Sequence, residues 1–407
     1  MKIALVGDLQ YGSGEQDIIR ERMSQVGALN PDFAVIMGDF GGPYIATRKG
    51  YEETKEFAEQ LACPYHFIFG NHDVEYYPGG ADDFDPASTY REFFGKEPHC
   101  SVVLNGVLFL ILSVERQPEE MMRTVHGVYI SDEQYEWAEN ELKNNSSFPT
   151  VIIAHAPVIG SGLRCFRPMH TSSQDTYLDQ TYKADRWPAL LKNNPQIKAW
   201  CSAHFHMGHD YDTAITERYG VTHISCGTMI DSRDGSFLTR VLDVSEDKKL
   251  IISTLDHIEN TFKEDAVIDL TGKENSTGNI AKSDGSEIFL GNDTPKKCWS
   301  LGRRGRYYIS TEKGLLWEYH SEFNEFVGAL IQQGTANEMY SDGDRLVIVC
   351  EDKIFSVNED TRDRFDVMGS FSDQNAQIES APKGTPLPTV EFTTRETKYG
   401  KYVSIKL

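Results

Sequence analysis

The sequence lacks any long hydrophobic run. No stretch approaches the roughly 18 consecutive apolar residues that a membrane-spanning helix requires. The apolar residues 3–6 near the amino terminus are too few for the core of a signal peptide, and no small-residue cleavage site follows them. We therefore expect a cytoplasmic protein without a membrane partner, in which this run forms the first strand.

Paired cysteines and an excess of positive charge are missing as well. The seven cysteines are odd in number, scattered and never arranged as C-x-x-C, so we expect reduced thiols. Acidic residues outnumber basic ones by 62 to 40, which gives a net charge of −22. Such a surface disfavours non-specific binding to nucleic acids or membranes, since both are polyanions. A small phosphorylated substrate is still compatible with this net charge, because a bound cation can make the local electrostatic potential positive.

The first 260 or so residues alternate short apolar runs with helical periods. The helical periods cover residues 16–29, 51–61 and 132–144. Ser131 is the predicted N-cap of the last of these helices, and Asn105-Gly106 is the predicted turn of a β-hairpin. This alternation predicts a layered α/β domain over residues 1–260, and the total of 407 residues leaves room for a second domain.

Residues 263–407 show a different pattern, with short β-type runs separated by Gly, Asp and Asn. Two similar units begin at Trp299 and Tyr340. The offset of 41 residues between their starts matches the spacing of propeller blades. A plain meander with accidental similarity is the alternative. At most about three such units fit, which is too few to close a ring. We predict a smaller β-rich domain, blade-like or sandwich-like, whose edges dock on the first domain or on another subunit of a homo-oligomer.

Polar side chains with metal-binding capacity follow several of the predicted strands. Five of them come directly after apolar runs, namely Asp8, Asp39, Asn71, His155 and His204. In α/β sheets the carboxyl ends of strands meet at one edge, so these segments should converge. Together with Gln10 and His206 they make seven ligands, too many for one tetrahedral zinc. The mixture of O and N donors suits two ions that share a carboxylate, and Mn, Fe, Co, Ni and Zn all fit by ligand type.

Five short blocks share the order and spacing of a known signature: D-L-Q at 8–10, G-D at 38–39, G-N-H-D at 70–73, A-H at 154–155 and A-H-F-H at 203–206. They resemble the D-x-H, G-D, G-N-H-[DE], H and G-H-x-H pattern of the calcineurin-like metallophosphoesterases. The resemblance covers residues 1 to about 257. It implies layered β-sheets flanked by helices, a dinuclear metal centre and hydrolysis of phosphoric esters.

The resemblance also implies a role for each matching residue. Asp39 would bridge the two metals. The first metal would take Asp8 and His206, and the second would take Asn71, His155 and His204. The nucleophile would be a hydroxide that bridges the metals.

Two further residues of the G-N-H-D block carry implied roles in catalysis. His72 resembles the histidine that contacts the phosphate and protonates the leaving group. Asp73 would hold the other ring nitrogen of His72.

Two positions depart from the family pattern. Gln10 stands where the family usually has His, and its neutral carbonyl oxygen is a weaker ligand that favours a harder ion such as Mn. Some branches of the family resemble this sequence in having Gln there, so we do not interpret Gln10 as inactivating. Ala203 replaces a Gly, which requires only ordinary backbone angles at that position.

Two long insertions, residues 74–99 and 159–185, should form the walls of the cleft and set specificity. In the second insertion Arg164 and Arg167 are candidates for binding a phosphate or carboxylate, or for pairing with the acidic first insertion. His170 is a further candidate for substrate contact.

The remaining histidines are expected to serve structure. His66 and His223 lie in strand patterns and are expected in the core. His99, His126 and His257 are expected to be solvated.

The leading hypothesis is a phosphodiesterase. The A-H-A-P sequence at 154–157 and the overall layout look most like the cyclic-nucleotide phosphodiesterase branch. The first alternative is a phosphomonoesterase that acts on phosphoproteins or small molecules. The second is a non-catalytic binding or scaffold protein with a vestigial metal site.

Overall fold

The computed structural model of the chain describes residues 1–41, 47–75, 85–121, 125–164, 176–210, 213–272, 276–281, 287–291, 293–302, 305–321, 325–331, 335–341, 343, 345–351, 354–358, 377–378, 384–397 and 400–407. The chain divides into two compact units. One comprises Met1–Cys165 and Arg186–Lys282, and the other comprises Phe166–Asp185 and Ser283–Leu407.

The first unit is built on two β-sheets. Its strands are β1 (Lys2–Val6), β2 (Phe33–Ile36), β3 (Tyr65–Phe67), β4 (Cys100–Leu104), β5 (Val107–Ile111), β6 (Thr150–Ala154), β7 (Ile197–Ser202), β8 (Ile215–Arg218), β9 (Val221–Ser225), β10 (Leu238–Val244), β11 (Lys249–Asp256), β12 (Thr261–Asp269) and β13 (Thr277–Gly278). One sheet has the order β13-β12-β11-β10-β1-β2-β3, and the other has the order β4-β5-β6-β7-β9-β8. Each sheet contains strands that pair in parallel, among them β1 with β2 and β6 with β7.

The described residues of the same unit form the α-helices α1 (Gln16–Ala28), α2 (Arg48–Ala58), α3 (Pro86–Phe94), α4 (Asp132–Asn144) and α5 (Arg186–Asn193). Short 3₁₀ turns span Glu59–Leu61, His72–Val74 and Glu119–Met121. The predicted N-cap of α4 is confirmed, since Ser131 Oγ accepts a hydrogen bond from the amide of Gln134 at 3.1 Å. Among the described residues, no helix is long and apolar enough to cross a membrane.

The core of the first unit lies between its two sheets. Leu5 and Val35 of the seven-stranded sheet share one buried cluster with Ile153 and Cys201 of the six-stranded sheet. Each such side chain stabilises the fold by about 1.5–3 kcal/mol through loss of apolar contact with water. The prediction of layered β-sheets flanked by helices is confirmed. The six described cysteines form no disulfide with one another.

The seven-stranded sheet continues past residue 260, where the sequence suggested a domain boundary. β12 pairs with β11 from Lys249↔Asp269 to Asp256↔Thr261, and β13 pairs with β12. Ala266 and Ile268 of β12 are buried in the core between the sheets. The predicted boundary therefore lies inside the sheet, because a strand that continues a sheet and a strand that starts a new domain have the same sequence pattern.

The second unit is rich in strands, as predicted. They are β14 (Glu287–Gly291), β15 (Pro295–Leu301), β16 (Arg306–Thr311), β17 (Leu316–His320), β18 (Glu325–Ile331), β19 (Ala336–Ser341), β20 (Arg345–Cys350), β21 (Ile354–Asn358), β22 (Gln377–Ile378), β23 (Thr385–Pro386), β24 (Phe392–Thr397) and β25 (Gly400–Ile405). The described strands form sheets with the orders β14-β25-β24, β15-β16-β17-β18 and β22-β21-β20-β19-β23.

The sheet β15–β18 is apolar on both faces. Trp299 and Tyr308 pack in one cluster with Leu346 and Ile348 of β20. Their chain neighbours Cys298 and Ile309 pack in a second cluster with Val403 and Ile405 of β25. Alternate residues of a strand point to opposite faces, so this sheet separates the other two in a three-layer stack. Each of the two similar sequence units, at Trp299 and Tyr340, forms one antiparallel sheet. In each sheet, strands that are consecutive along the unit lie next to each other.

Candidate active site

Six candidate metal ligands follow strand ends in both sheets of the first unit. Three come after β1, β2 and β3, namely Asp8, Asp39 and Asn71. Three come after β6 and β7, namely His155, His204 and His206. All six are buried. Because the two sheets pack face to face, these ends meet at one edge and the structure brings the six side chains together.

The carboxylates and imidazoles form two overlapping groups. Asp39, His155 and His204 place donor atoms within 4.8 Å of one another, and so do Asp8, Asp39 and His206. Asp39 belongs to both groups, which is the position of a carboxylate shared by two ions. Asn71 joins the first group, since its Oδ1 lies 3.1 Å from His155 Nε2.

The spacing of the donor atoms fits ions. Two ligands about 2.1 Å from one ion lie about 3.0–3.4 Å apart at octahedral or tetrahedral angles. His155 Nε2 lies 3.4 Å from Asp39 Oδ2, and His206 Nε2 lies 3.3 Å from Asp8 Oδ1. Asp8 Oδ1 is buried without a hydrogen-bond partner. A buried carboxylate oxygen is costly unless something compensates its charge, and a cation does so.

The backbone at the ligands is held in an unusual conformation. Asp8, Asp39, His204 and His206 have φ angles of 40°, 53°, 68° and 51°. Non-glycine residues rarely adopt this left-handed region, and residues held there cluster at functional sites. The turn after each strand thus directs its side chain toward the shared centre.

Groups outside the ligand set hold the imidazoles in place. His155 Nδ1 lies 2.7 Å from the carbonyl of Met37, which leaves Nε2 facing Asp39. His206 Nδ1 lies 2.7 Å from the carbonyl of Asp231 and 3.2 Å from its carboxylate, which leaves Nε2 facing Asp8. Such contacts fix the tautomer and raise the basicity of a ligating histidine.

Charges couple within this buried set. Burial lowers the pKa of a histidine, but the Asp39 carboxylate outweighs it and raises the pKa of His155 to about 9. Asp8 in the same way overcomes burial and raises the pKa of His206 to about 10. Burial alone would raise the pKa of Asp39, yet the charges of His155 and His72 hold that pKa well below its ordinary value. A metal ion would therefore compete with protons for these imidazoles.

The sequence matches a family model described as calcineurin-like phosphoesterase over residues 1–208. This chain belongs to that family. The metallophosphoesterases of this family use a dinuclear divalent metal centre, and the two overlapping groups of ligands fit it. The chain is accordingly a hydrolase of phosphoric esters, and the alternative of a non-catalytic scaffold is set aside.

Several solved structures are similar to this chain. A dimetal phosphatase from Danio rerio is 13% identical, with a TM-score of 0.45, over 64% of this chain and 98% of its own. Purple acid phosphatase PPD1 from yellow lupin (Lupinus luteus) is 12% identical, with a TM-score of 0.45, over 65% of this chain and 52% of its own. A protein from Thermus thermophilus is 11% identical, with a TM-score of 0.37, over 66% of this chain and 98% of its own. No curated protein matches the sequence.

Gln10 lies at the metallophosphoesterase centre. Its amide nitrogen donates a hydrogen bond to Asp39 Oδ2 at 2.9 Å. The side chain therefore reaches the shared carboxylate, which is the neighbourhood that the sequence assigned to it. Its role as a ligand of the first metal stays a prediction.

His72 lies at the rim of the ligand set, but Asp73, its predicted partner, contacts other groups. The amide of His72 donates to Asp39 Oδ1 at 3.0 Å. The Asp73 carboxylate instead accepts from the amides of Asp39, Phe40 and Gly70, at 2.6, 3.0 and 2.8 Å. Asp73 thus ties together the turns after β2 and β3, and the predicted contact with the His72 ring is corrected.

The carboxylate that reaches Nδ1 of His72 is Glu75. His126 Nδ1 lies 2.6 Å from the same oxygen of Glu75, although the sequence suggested that His126 is solvated. Together with Asp231, these are site residues that sequence reasoning missed. His126 and Asp231 lie 51 and 25 residues along the chain from their partners Glu75 and His206, so no local spacing signals them.

The predicted substrate-binding residues are only partly described. Arg164 is half-buried, and its amide donates to the carbonyl of Thr213 at 3.3 Å. Arg167 and His170 lie outside the described residues. Contact of these three residues with a substrate stays a prediction.

Proposed function

We propose that this chain hydrolyses phosphodiesters, with cyclic nucleotides as the leading substrate class, and that the ligands hold two ions drawn from Mn, Fe, Zn, Co and Ni. The observation that carries the proposal is the convergence of six buried ligands with His72 at their rim. Two bound divalent ions would supply Lewis-acid chemistry at phosphorus. The chain would orient the ester between the shared Asp39 carboxylate and the His72 ring.

His72 has the exposure that an acid for the leaving group needs. Its side chain is 31% exposed, whereas the metal ligands are buried, so an ester in the cleft can reach its ring. The hydrogen bond that its backbone amide donates to Asp39 Oδ1 holds the backbone of His72 beside the ligand set. From this position His72 would hold a proton at a ring nitrogen and release it to the departing oxygen.

Charge at the rim supports a diester over a monoester. Arg233 lies beside the ligand set, since its amide donates to the carbonyl of His206 at 2.9 Å. Its guanidinium is 3.2 Å from the Asp231 carboxylate, which offsets its charge. A diester carries one negative charge and a monoester up to two. Among the described residues, the pairing of Arg233 with Asp231 reduces the positive charge beside the ligand set, which favours the less charged substrate.

The experiment compares two chromogenic esters on protein loaded with each metal in turn. We expect kcat/KM for bis-p-nitrophenyl phosphate to exceed that for p-nitrophenyl phosphate, and we expect turnover of 2′,3′- or 3′,5′-cyclic nucleotides. The Asp39→Ala variant serves as the inactive control. A preference for the monoester under every metal would favour the phosphomonoesterase alternative instead.

A further inference from the structure

Two imidazoles share one buried carboxylate at the rim of the site. Nδ1 of His72 and Nδ1 of His126 both face Oε1 of Glu75, the latter at 2.6 Å. The rings are 5.4 Å apart between centroids. The Glu75 side chain is 3% exposed, while those of His72 and His126 are 31% and 35% exposed.

Local structure explains why Glu75 meets His72. His72–Val74 forms a 3₁₀ turn that begins directly after Asn71. In a 3₁₀ turn, residues three apart lie above each other, so Glu75 follows His72 on the same side. The H-x-x-E spacing within residues 72–75 is therefore sufficient to form the contact once this turn forms.

The cluster is hydrogen-bonded rather than metal-bound. At the candidate dinuclear centre these donor atoms lie 3.1–3.4 Å apart, as ligands of one ion do. The 2.6 Å contact of His126 with Glu75 is too short for two ligands of one ion, and it is typical of a charge-assisted hydrogen bond. A third ion is not needed to account for these three side chains.

We propose that Glu75 is a positioning residue for His72 and that His126 holds Glu75 in place. This inference rests on the proposed function, in which His72 acts on the ester. Glu75 accepts a hydrogen bond from Nδ1 of His72. This contact fixes the ring plane of His72 and directs its Nε2 away from Glu75, toward the cleft. His126 supplies a second donor to the same oxygen, so that the buried carboxylate keeps its orientation.

The expected effect is a loss of rate without a loss of metal. Misplacement of a reacting group by about 1 Å can cost on the order of 10²-fold in rate. We expect Glu75→Gln to lower kcat by about 10–100-fold, with KM changed less, and His126→Gln to lower kcat by a smaller factor. Both variants should retain two ions per chain by elemental analysis.

A double-mutant cycle tests whether Glu75 acts through His72. His72→Ala, Glu75→Gln and the combination are assayed with esters of good and poor leaving groups. We expect the double variant to be no slower than His72→Ala alone, within about twofold, because the ring that Glu75 positions is already gone. The same cycle with His126→Gln provides a second measurement at a half-exposed position if Glu75→Gln does not fold.

Matched controls are Glu141→Gln and His99→Gln. Glu141 accepts a hydrogen bond from Ser101 Oγ at 2.5 Å, and the ring of His99 packs 4.7 Å from that of Trp137. Both should retain full activity. Losses that multiply in the double variant, or loss of metal from Glu75→Gln, would overturn the proposal. A wild-type preference for monoesters would contradict the proposed function but not the role of Glu75. In that case the double-mutant cycle is measured with p-nitrophenyl phosphate as the substrate.

Discussion

Single carboxylates determine how many ions the site can hold. Among the described residues, Asp39 is the only one that belongs to both groups of carboxylate and imidazole donors at the candidate metal centre. Its loss should therefore weaken both metal positions at once, whereas the loss of Asp8 should weaken mainly one.

We expect Asp39→Ala to bind fewer than one ion per chain where the wild type binds close to two. The physical reason is that each ion would lose a charged ligand that the neutral imidazoles cannot replace. Elemental analysis after gel filtration measures the ratio. Asp17→Ala is the control, because the Asp17 side chain is 97% exposed on α1. Full metal content in Asp39→Ala would contradict its shared position.

Asp231 is in position to affect a bound metal through His206. Its carbonyl and carboxylate both lie against His206 Nδ1, so its charge raises the basicity of that imidazole. We expect Asp231→Asn to weaken one metal position about 10–100-fold and to leave the other nearly unchanged. Competition with a chelator during metal titration measures both affinities. Equal weakening of the two positions would show that Asp231 does not act through His206 alone.

Buried His257 makes stability depend on pH. The sequence suggested a solvated ring, but the structure buries it between Thr239 Oγ1 at 2.8 Å and Gln25 Oε1 at 2.6 Å. Burial, with a smaller contribution from Arg22, lowers its pKa to about 4. The unfolded chain, with a histidine pKa of about 6.5, takes up the proton first as pH falls. The contribution of neutral His257 to stability is thus complete above about pH 6.5 and is lost as pH falls toward 4.

We therefore expect His257→Gln to lose less stability than the wild type between pH 7.5 and pH 5. The difference should be about 2 kcal/mol, because at pH 5 the proton is bound in the unfolded state and not in the folded state. Urea unfolding at the two pH values measures it. Both proteins share every metal ligand, so the comparison isolates His257. Equal losses in the two proteins would show that its folded pKa is not lowered.

At the scale of elements, the site depends on how closely two strand ends approach. β2 and β3 pair in parallel, and the turns after them pack without a side chain at Gly38 or Gly70. A Cβ on Gly70 would lie 2.1 Å from Asp39 Oδ1 and 2.6 Å from His155 Cε1. Glycine in the G-N-H-D block is thus required by the position of the shared carboxylate.

We expect Gly70→Ala to displace Asp39 and to lower metal content below two ions per chain. Overpacking of this kind also costs about 1–3 kcal/mol of stability. Metal analysis and thermal unfolding measure the two effects separately. Gly302→Ala is the matched control, because its nearest neighbour would be Ser300 Oγ at 3.3 Å. A Gly70→Ala protein with both ions bound would mean that Asp39 can shift without losing its role.

At the scale of the whole molecule, the extent of the catalytic unit decides where the chain can be cut. The seven-stranded sheet runs through β12 and β13. Ala281, which follows β13, is joined to β8 by two backbone hydrogen bonds, one donated by the amide of Ala281 and one by the amide of Glu217. Ile268 and Leu270 are 4% and 1% exposed in the core between the sheets. Their burial stabilises the unit by roughly 1.5–3 kcal/mol each, and a domain has only about 5–15 kcal/mol in total.

We expect a chain cut after residue 260 to be insoluble or inactive, and a chain cut after residue 281 to be soluble with two ions bound. The shorter chain would expose the edge of β11 and lose β12 from the core. Solubility, metal content and phosphodiesterase rate compare the two. Equal behaviour of both chains would show that β12 is dispensable. Light scattering of the longer chain beside the full protein also tests our proposal that residues 263–407 contribute to a homo-oligomer.

The sequence by itself determined which candidate ligands would lie together, because five of them directly follow apolar strands and parallel strand ends meet at one edge of a sheet. Asp8 and Asp39 could be found in this way. It also determined features that depend only on near neighbours, such as the Ser131 cap and the turn at Asn105-Gly106, where both φ angles are positive.

Only the tertiary structure decided which groups support those ligands. Glu75 and His126 are 51 residues apart, and the carboxylate of Asp73 contacts backbone amides from two turns rather than the ring beside it. The extension of the sheet to β13 also became visible only in the fold. Contacts of this kind depend on where separate segments meet after packing, and they leave no period or spacing in the chain for sequence reasoning to detect.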